Sequence, residues 1–422
     1  MSHHAVSISK FSAHIEIDSK EPWNLARFSN RYQASLFRLD SIDQDDVIAA
    51  LEHRDRVFCI ELNITGSQPE NMATVLHKPF PVLTHLDISS EDGNLVIPGG
   101  FLGGSAPCLE QITSSCTCFP ALPTLLLSTK NLVKLKLYFV PPTHYISPSA
   151  MVACLAEWPK LNTLFLHFTT SVTVCLGQIL PPPITRVVLP ALADLYFCGA
   201  SKYLEDLLAQ IDCPELDYIN VYIINLVADF QIAPFARFLN RSVDLEMSPY
   251  SPTEVNLVHG SVAIRMFCDP NLPYEVWKPE GRRATIAICY GWTDPQVSLI
   301  AEVVNRFSAI LFTVVHLSLT WPEYEEIDDI DWLHLLHPFS TLQTLLISRI
   351  LAWEVASALE DIPAERVTEV LPSLCLAYLE RYPGSFLEIK LSDSPVEVVY
   401  DRMDYTKILD SGVLRLPTGR RH

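Results

Sequence analysis

Apolar residues recur along this chain in an L-x-x-L-x-L arrangement that often follows a proline. WPKLNTLFLHF at 158–168 is one copy, and FPVLTHLDI at 80–88, LPALADLYF at 189–197 and FSTLQTLLI at 339–347 repeat it with small changes. Counted from the first apolar residue of each copy, beginning at Val57, the early spacings are 26, 26, 23, 29, 31 and 24 residues. Such regularity predicts a series of similar structural units.

Each copy has the alternation of a β-strand. The two residues of L-x-L point to one side of a strand and fill an interior, while the x positions stand on the other side. One strand buries too little apolar surface alone, so the copies are expected to stack side by side. The sequence therefore predicts an α/β fold: a leucine-rich-repeat solenoid, or horseshoe, with a parallel concave β-sheet and helices or irregular turns outside.

The repeat weakens in the middle of the chain. Between Leu216 and Val314 there is no clear copy, although alternating segments around Val243, Val262 and Ile286 have about the right interval. Counting these, thirteen strands run from 57 to 374, which gives 317/12, or about 26 residues per unit. We predict an N-terminal cap or remnant segment at 1–41, a repeat array at 42–381 that is degenerate at about 225–310, and a C-terminal cap or tail at 382–422.

The segments between strands have helical patterns where the sequence is clear. Apolar residues at helical spacing, acidic residues at the start, and Ser-Pro or Asp-Pro openings predict four helices. They lie at 43–55, 147–158, 201–211 and 294–307. The connectors at 93–112 and 177–192 are rich in Gly or Pro and are expected to be irregular.

The composition and net charge of the chain argue against some classes of partner and some cellular compartments. Hydrophobic residues make up 49% of the chain, charged residues 19%, and the net charge is −19. That charge repels phosphate and anionic lipid, so neither a nucleic acid nor a membrane is an expected partner. The eleven cysteines are odd in number and mostly lie in apolar runs, which fits a reducing compartment. With no apolar signal segment at the N-terminus, the protein is expected to be soluble and cytoplasmic or nuclear.

Motifs for catalysis are missing. The sequence has no G-x-S-x-G, no H-E-x-x-H and no nucleotide-binding glycine pattern. Cys116 and Cys118 lack a second pair to complete a zinc site, and His334 and His337 are explained by a solvated helix face. The sequence therefore predicts a protein that is not an enzyme and has no cofactor and no metal.

Several stretches are long and specific enough to resemble a known family. They closely resemble F-box and leucine-rich-repeat proteins that are expanded in mushroom-forming fungi, over about 40–381. The stretches are DVIAALEHRDRV (46–57), PFPVLTHLDI (79–88), FLGGSAPCLEQI (101–112), FPALPTLLLST (119–129), YISPSAMVACLA (145–156), RVVLPAL (186–192) and YLEDLLAQIDCPELDYI (203–219).

The resemblance implies a substrate-receptor role in an SCF-type ubiquitin ligase. In that role an N-terminal F-box binds a Skp-type adaptor, and the repeat array selects a target protein. Residues 1–56 contain no Leu-Pro-x-Glu-type helix start. Two hypotheses therefore stand: a receptor whose F-box is lost, degenerate or encoded upstream, and a stand-alone leucine-rich-repeat scaffold without a ubiquitin role.

The x positions of the strands are the candidate partner-binding residues. They are numerous, solvent-facing and held by a rigid sheet, so a target protein is expected on the concave face. Aromatic residues run through this set, and aromatic side chains are enriched at protein interfaces. The set is His85, Asp87, Lys134, Lys136, Tyr138, Phe165, His167, Asp194, Tyr196, Tyr218, Asn220 and Tyr222.

Overall fold

The structure is a computed structural model of the protein. The chain divides into two compact units, Met1–Leu216 and Asp217–His422. The structure describes residues 11–18, 36–41, 44–64, 75–90, 95–97, 99–118, 122–141, 146–169, 186–224, 234–235, 237–238, 252–258, 261–267, 283–289, 305, 311, 314–320, 332–348, 351, 355, 376–382, 385–390 and 398–400.

The described residues of the first unit include twelve strands and four α-helices with stated bounds. The strands are β1 (Phe11–Asp18), β2 (Leu36–Ser41), β3 (Val57–Ile64), β4 (His85–Ser89), β5 (Leu95–Val96), β6 (Gln111–Ser115), β7 (Thr117–Cys118), β8 (Lys134–Val140), β9 (Thr163–Phe168), β10 (Val187–Val188), β11 (Asp194–Gly199) and β12 (Ile211–Asp212). The helices are α1 (Gln44–Leu51), α2 (Leu122–Ser128), α3 (Pro148–Leu155) and α4 (Ser201–Leu208), and a short 3-10 turn covers Phe101–Gly104.

The main sheet of this unit is parallel along most of its width. Strands β3, β4, β6, β8, β9 and β11 pair in that order, each parallel to the next. At one end β1 pairs antiparallel with β3, and β2 pairs antiparallel with β1. Two small parallel pairs, β5 with β7 and β10 with β12, form separate two-stranded sheets.

The strand register confirms the alignment of the copies. Position 59 pairs with 85, 85 with 111, 111 with 134, 134 with 163, and 163 with 194. Each partner lies two residues after the first apolar residue of its copy, so successive copies stack without a shift. The predicted burial is confirmed as well, since Ile60, Leu86, Leu135, Leu164 and Leu195 are at most 3% exposed.

A recurring turn explains the prolines before the strands. The first leucine of a copy donates its backbone N–H to the carbonyl three residues earlier, as in Leu161 to Trp158 at 3.1 Å and Leu192 to Leu189 at 3.3 Å. Proline follows the accepting residue in both cases, at the second turn position, which suits its fixed φ. The same bond and the same proline occur at Phe80–Leu83, Ala106–Leu109 and Cys213–Leu216.

Helices return the chain between strands, as the sequence predicts for three of the four segments. Helix α3 begins after Ser147, whose side-chain oxygen accepts a hydrogen bond from the Ala150 N–H at 3.2 Å, with Pro148 as its first residue. In α4 the apolar side is buried, including Tyr203, Leu204 and Leu207. Helix α1 likewise buries Val47 and Leu51. The fourth predicted segment, 294–307, lies almost wholly outside the described residues.

The second unit contains nine described strands and one described helix. The strands are β13 (Tyr218–Ile224), β14 (Pro252–Val258), β15 (Ser261–Phe267), β16 (Arg283–Cys289), β17 (His316–Thr320), β18 (Thr344–Ile347), β19 (Leu376–Tyr382), β20 (Ser385–Lys390) and β21 (Val398–Tyr400). The helix is α5 (Trp332–Leu336).

Part of this unit follows the predicted parallel register. Strands β17, β18 and β19 are parallel, with 316 opposite 344 and 344 opposite 376, as the copies at Val314, Leu342 and Leu374 require. Strand β14 runs parallel to β17, and β13 runs parallel to β16.

The prediction of a parallel sheet throughout 42–381 is wrong in the degenerate stretch. Strand β15 is antiparallel to both β14 and β16. Only residues 259 and 260 separate β14 from β15, and a link this short joins antiparallel strands, whereas a parallel pair needs a crossover of about a dozen residues. Strands β20 and β21 also pair antiparallel beyond β19. The segment around Val243 lies outside the described residues.

Both units are thus mixed α/β structures in which parallel strand pairs carry the repeat. Among the residues that the structure describes, no helix is both long and apolar enough to cross a membrane.

Candidate functional site

The x positions of the first unit form ordered rows on one side of its parallel sheet. We call this side the polar face; it carries the outward residues of β3, β4, β6, β8, β9 and β11. Since the strands are in register, residues of equal position lie side by side. The middle row is Glu61, Asp87, Thr113, Lys136, Phe165 and Tyr196.

On this face the Phe165 ring contacts two other aromatic rings, one on each side. The Phe165 and Tyr196 rings are stacked, with centroids 3.9 Å apart and planes 2° from parallel. The Tyr138 ring lies 4.2 Å from Phe165 on the other side, tilted by 39°. We call these three residues the aromatic ladder. All three side chains are half-buried, so their mutual contact shields part of each ring and leaves an amphipathic surface.

A bulge near the end of β8 shapes one edge of the aromatic ladder. The register between β8 and β9 shifts between Leu137 and Val140, and Phe139 has a φ of 53°. A positive φ is costly for a bulky residue, and bulges often redirect a side chain near a functional surface. Here Phe139 is 43% exposed, and its ring lies 4.4 Å from that of His167.

Hydrogen bonds hold the bulge on both sides. The Cys116 N–H donates to the Tyr138 carbonyl at 3.0 Å, and the Thr169 N–H donates to the Val140 carbonyl at 3.3 Å. Cys116 itself has a φ of 53°, so a second strained residue supports the first. The bulge is therefore a defined feature and not a frayed strand end.

Charged residues border the aromatic ladder. Burial raises the pKa of Asp87 above its ordinary value, the neighbouring Glu61 carboxylate raises it further, and Lys136 opposes both. The pKa of Tyr138 is also raised, first by burial and then by Asp87. Burial lowers the pKa of His167, which favours its neutral form beside Phe139. At the other end of the face, the Thr163 hydroxyl donates to an Asp194 carboxylate oxygen at 3.3 Å.

The structure places the predicted site residues in two groups. His85, Asp87, Lys134, Lys136, Tyr138, Phe165, His167, Asp194 and Tyr196 all lie half-buried on the polar face. Tyr218, Asn220 and Tyr222 lie on β13 of the second unit, where the Asn220 amide donates to the Tyr218 hydroxyl at 2.9 Å. Within the predicted aromatic run, the Phe165 ring contacts the Tyr138 and Tyr196 rings in the first unit.

Two residues of the face were missed by sequence reasoning. Glu61 lies beside Asp87, and extending the leucine arithmetic to the copy at Val57 identifies it. Phe139 had no such signal, because strict alternation assigns it to the interior and only the bulge exposes it. Its position could not be read from strand periodicity.

The metal-binding alternatives are not supported by any cluster within the described ranges. There, no group of three or more His, Cys, Asp or Glu residues could hold a metal ion. His334 and His337 are both exposed. Asp331, an acidic residue three positions before His334 that could complete such a ligand set, lies outside the described residues.

No protein-family model matches the sequence, and no curated protein matches it significantly. The chain is similar to the crystal structure of the leucine-rich-repeat-containing protein LegL7 from Legionella pneumophila, with 14% sequence identity and a TM-score of 0.29. The likeness covers 77% of this chain and 92% of that chain. A TM-score this low does not establish a shared fold.

Proposed function

We propose that the protein is an interaction module, a leucine-rich-repeat solenoid whose polar face binds a partner protein. The observation that carries this proposal is the aromatic ladder of Tyr138, Phe165 and Tyr196, which lies on the solvent side of a rigid parallel sheet. Tyrosine supplies large contact area with little loss of side-chain entropy, and tyrosine is enriched among residues that dominate binding energy.

The scaffold suits this role. The strands of the polar face are hydrogen-bonded to their neighbours, in register as far as the bulge in β8, and the side chains on the opposite side of the sheet are buried. Side chains on such a sheet are held in place before binding, so less entropy is lost on association than with a loop surface. The face can therefore present a fixed pattern of rings and charges to a partner.

A substrate-receptor role in an SCF-type ubiquitin ligase is the more specific form of the proposal. It is supported by the resemblance of stretches such as 79–88 and 203–219 to fungal F-box and leucine-rich-repeat proteins. In this form the polar face binds the protein to be ubiquitinated, and a Skp-type adaptor binds elsewhere. The alternative is a stand-alone scaffold that binds its partner without ubiquitin chemistry.

The test is quantitative affinity purification from cells with three versions of the full chain. They are the wild type, Tyr196→Ala on the polar face, and Leu127→Ala, a control at a 47%-exposed position on α2. A protein bound by the face should be depleted at least tenfold with Tyr196→Ala and retained with Leu127→Ala. If every co-purified protein were recovered equally with all three versions, no partner would depend on the polar face, and the proposal would be contradicted.

The same purification separates the two forms of the proposal. A Skp-type adaptor and a cullin that co-purify equally with all three versions would support the ligase role, because their binding does not use the polar face. Their absence, together with a face-dependent partner, would support the stand-alone scaffold.

A further inference from the structure

The charges on the polar face follow an order that predicts the chemistry of the partner. Along the middle row two carboxylates come first, Glu61 and Asp87, then Thr113 and Lys136, and then Phe165 and Tyr196 of the aromatic ladder. Neighbouring strands lie about 4.8 Å apart, so Asp87 is roughly 14 Å from Phe165 and roughly 19 Å from Tyr196.

The two carboxylates are adjacent, and at Asp87 the repulsion from Glu61 outweighs the attraction of Lys136. Within the described part of the chain, Asp87 forms no ion pair, and Glu61 accepts only a weak hydrogen bond from the Cys59 thiol at 4.0 Å. Like charges on neighbouring strands destabilise a sheet. The raised pKa of Asp87 agrees, since both burial and Glu61 disfavour its charged form. Locally unfavourable arrangements of this kind are expected where a surface serves binding.

The net charge of the whole protein also favours a basic partner. With a net charge of −19, its long-range field attracts basic segments and repels acidic ones. The same field speeds association with a basic partner, while the carboxylates and rings select it at close range. An acidic segment could pair with Lys134 and Lys136, but it would approach against this field and would leave the two carboxylates unpaired.

We infer that the polar face binds an extended protein segment that places a lysine or arginine on Glu61 and Asp87 and an aromatic or large apolar side chain on the ladder beside Phe139. The inference rests on the proposed function and specifies its partner. In an extended segment, side chains on one side repeat every two residues, about 6.8 Å. The basic and apolar residues of the partner should therefore be four or six residues apart.

The test is selection of random twelve-residue peptides, displayed on phage, against the purified full-length chain. Enriched peptides are then synthesised with a fluorophore, and their binding is measured by fluorescence anisotropy. The variants are Glu61→Gln with Asp87→Asn, which removes both charges at almost constant shape, Tyr196→Ala, and the control Leu127→Ala. Thermal unfolding of each variant checks that it is folded. If Tyr196→Ala does not fold, Tyr138→Ala removes another ring of the aromatic ladder in its place.

The expected result is a set of peptides with a basic and an aromatic residue at spacing four or six. Their affinity should fall about tenfold in the double carboxylate variant and about tenfold in Tyr196→Ala, with no change in Leu127→Ala. Raising the salt concentration should weaken binding to the wild type more than binding to the double carboxylate variant.

Other results overturn the inference in distinguishable ways. Acidic peptides that bind Tyr196→Ala more weakly than wild type, and the double carboxylate variant more tightly, would overturn the basic partner while supporting the proposed function. Peptides that bind wild type and every polar-face variant with equal affinity would contradict both the inferred partner and the proposed function. A selection without enrichment over phage that carry no peptide would contradict both as well.

Discussion

At the scale of single residues, Asp87 shows how the polar face differs from the interior. Its carboxylate is half-buried beside Glu61, and both burial and that neighbour raise its pKa. The folded protein therefore binds this proton more tightly than the unfolded chain does. Ionisation of Asp87 consequently lowers stability as the pH rises from about 3.8 through the higher folded-state pKa.

Replacing Asp87 by asparagine should make the protein more stable at pH 7. The amide keeps the shape of the side chain and cannot ionise, so the repulsion with Glu61 is removed. The gain should stay below about 1 kcal/mol, because the carboxylate is partly exposed and screened. Urea unfolding at pH 7 measures it, and the difference from wild type should shrink as the pH is lowered towards 3.8. A loss of stability at pH 7 would show that the carboxylate has a stabilising partner in the fold.

At the scale of elements, the ends of strands and helices are set by local chemistry. Proline at the second position of a turn precedes several strands, and Ser147 with Pro148 begins α3. These signals act within about four residues, so they work in the same way wherever they occur in the chain. They explain why the repeat keeps its register although the spacings vary.

Replacing Ser147 by alanine should cost about 1 kcal/mol of stability. The variant loses the bond from the Ala150 N–H and leaves that donor at the helix end without its cap. Ser149 offers a matched control, because it is exposed, lies in the same helix and has no capping role. Chemical denaturation should separate the two alanine variants, and equal values for both would mean that the cap contributes nothing.

At the scale of the whole molecule, stability comes from stacking one copy on the next. Leu164 is 0% exposed and lies in register between Leu135 and Leu195 of the adjacent strands. A repeat in this position contacts mainly its neighbours, so damage at one interface interrupts the stack. The polar face, by contrast, can change without loss of the core.

Leu164→Asp should therefore unfold the first unit, because a charge cannot be buried without a partner at an acceptable cost. The control is Gln111→Asp, which places the same carboxylate on the polar face beside Lys134. Circular dichroism during heating should show a large loss for Leu164→Asp and a change of less than about 0.5 kcal/mol for Gln111→Asp. A similar loss of stability in both variants would show that the assignment of buried and exposed sides of the sheet is wrong.

The sequence by itself determined the features that depend on near neighbours. The alternation of L-x-L identified which side of β4, β8, β9 and β11 is buried, and the leucine frame aligned those strands to the residue. Helix α4 followed from spacing that puts Tyr203, Leu204 and Leu207 on one side. These features are local because a strand repeats every two residues and a helix every 3.6.

Tertiary structure decided the rest, since it depends on segments that are distant in sequence. The antiparallel pairing of β15 with β14 could have been predicted from the sequence, because His259 and Gly260 between two alternating runs are a hairpin signal. The antiparallel pairing of β15 with β16 could not, because a much longer connection joins these two strands. The bulge that exposes Phe139 and brings Tyr138 against Phe165 depends on how β8 meets β6 and β9. Periodicity reports which side of a strand a residue faces; only the packing of neighbouring strands decides which rings and charges meet.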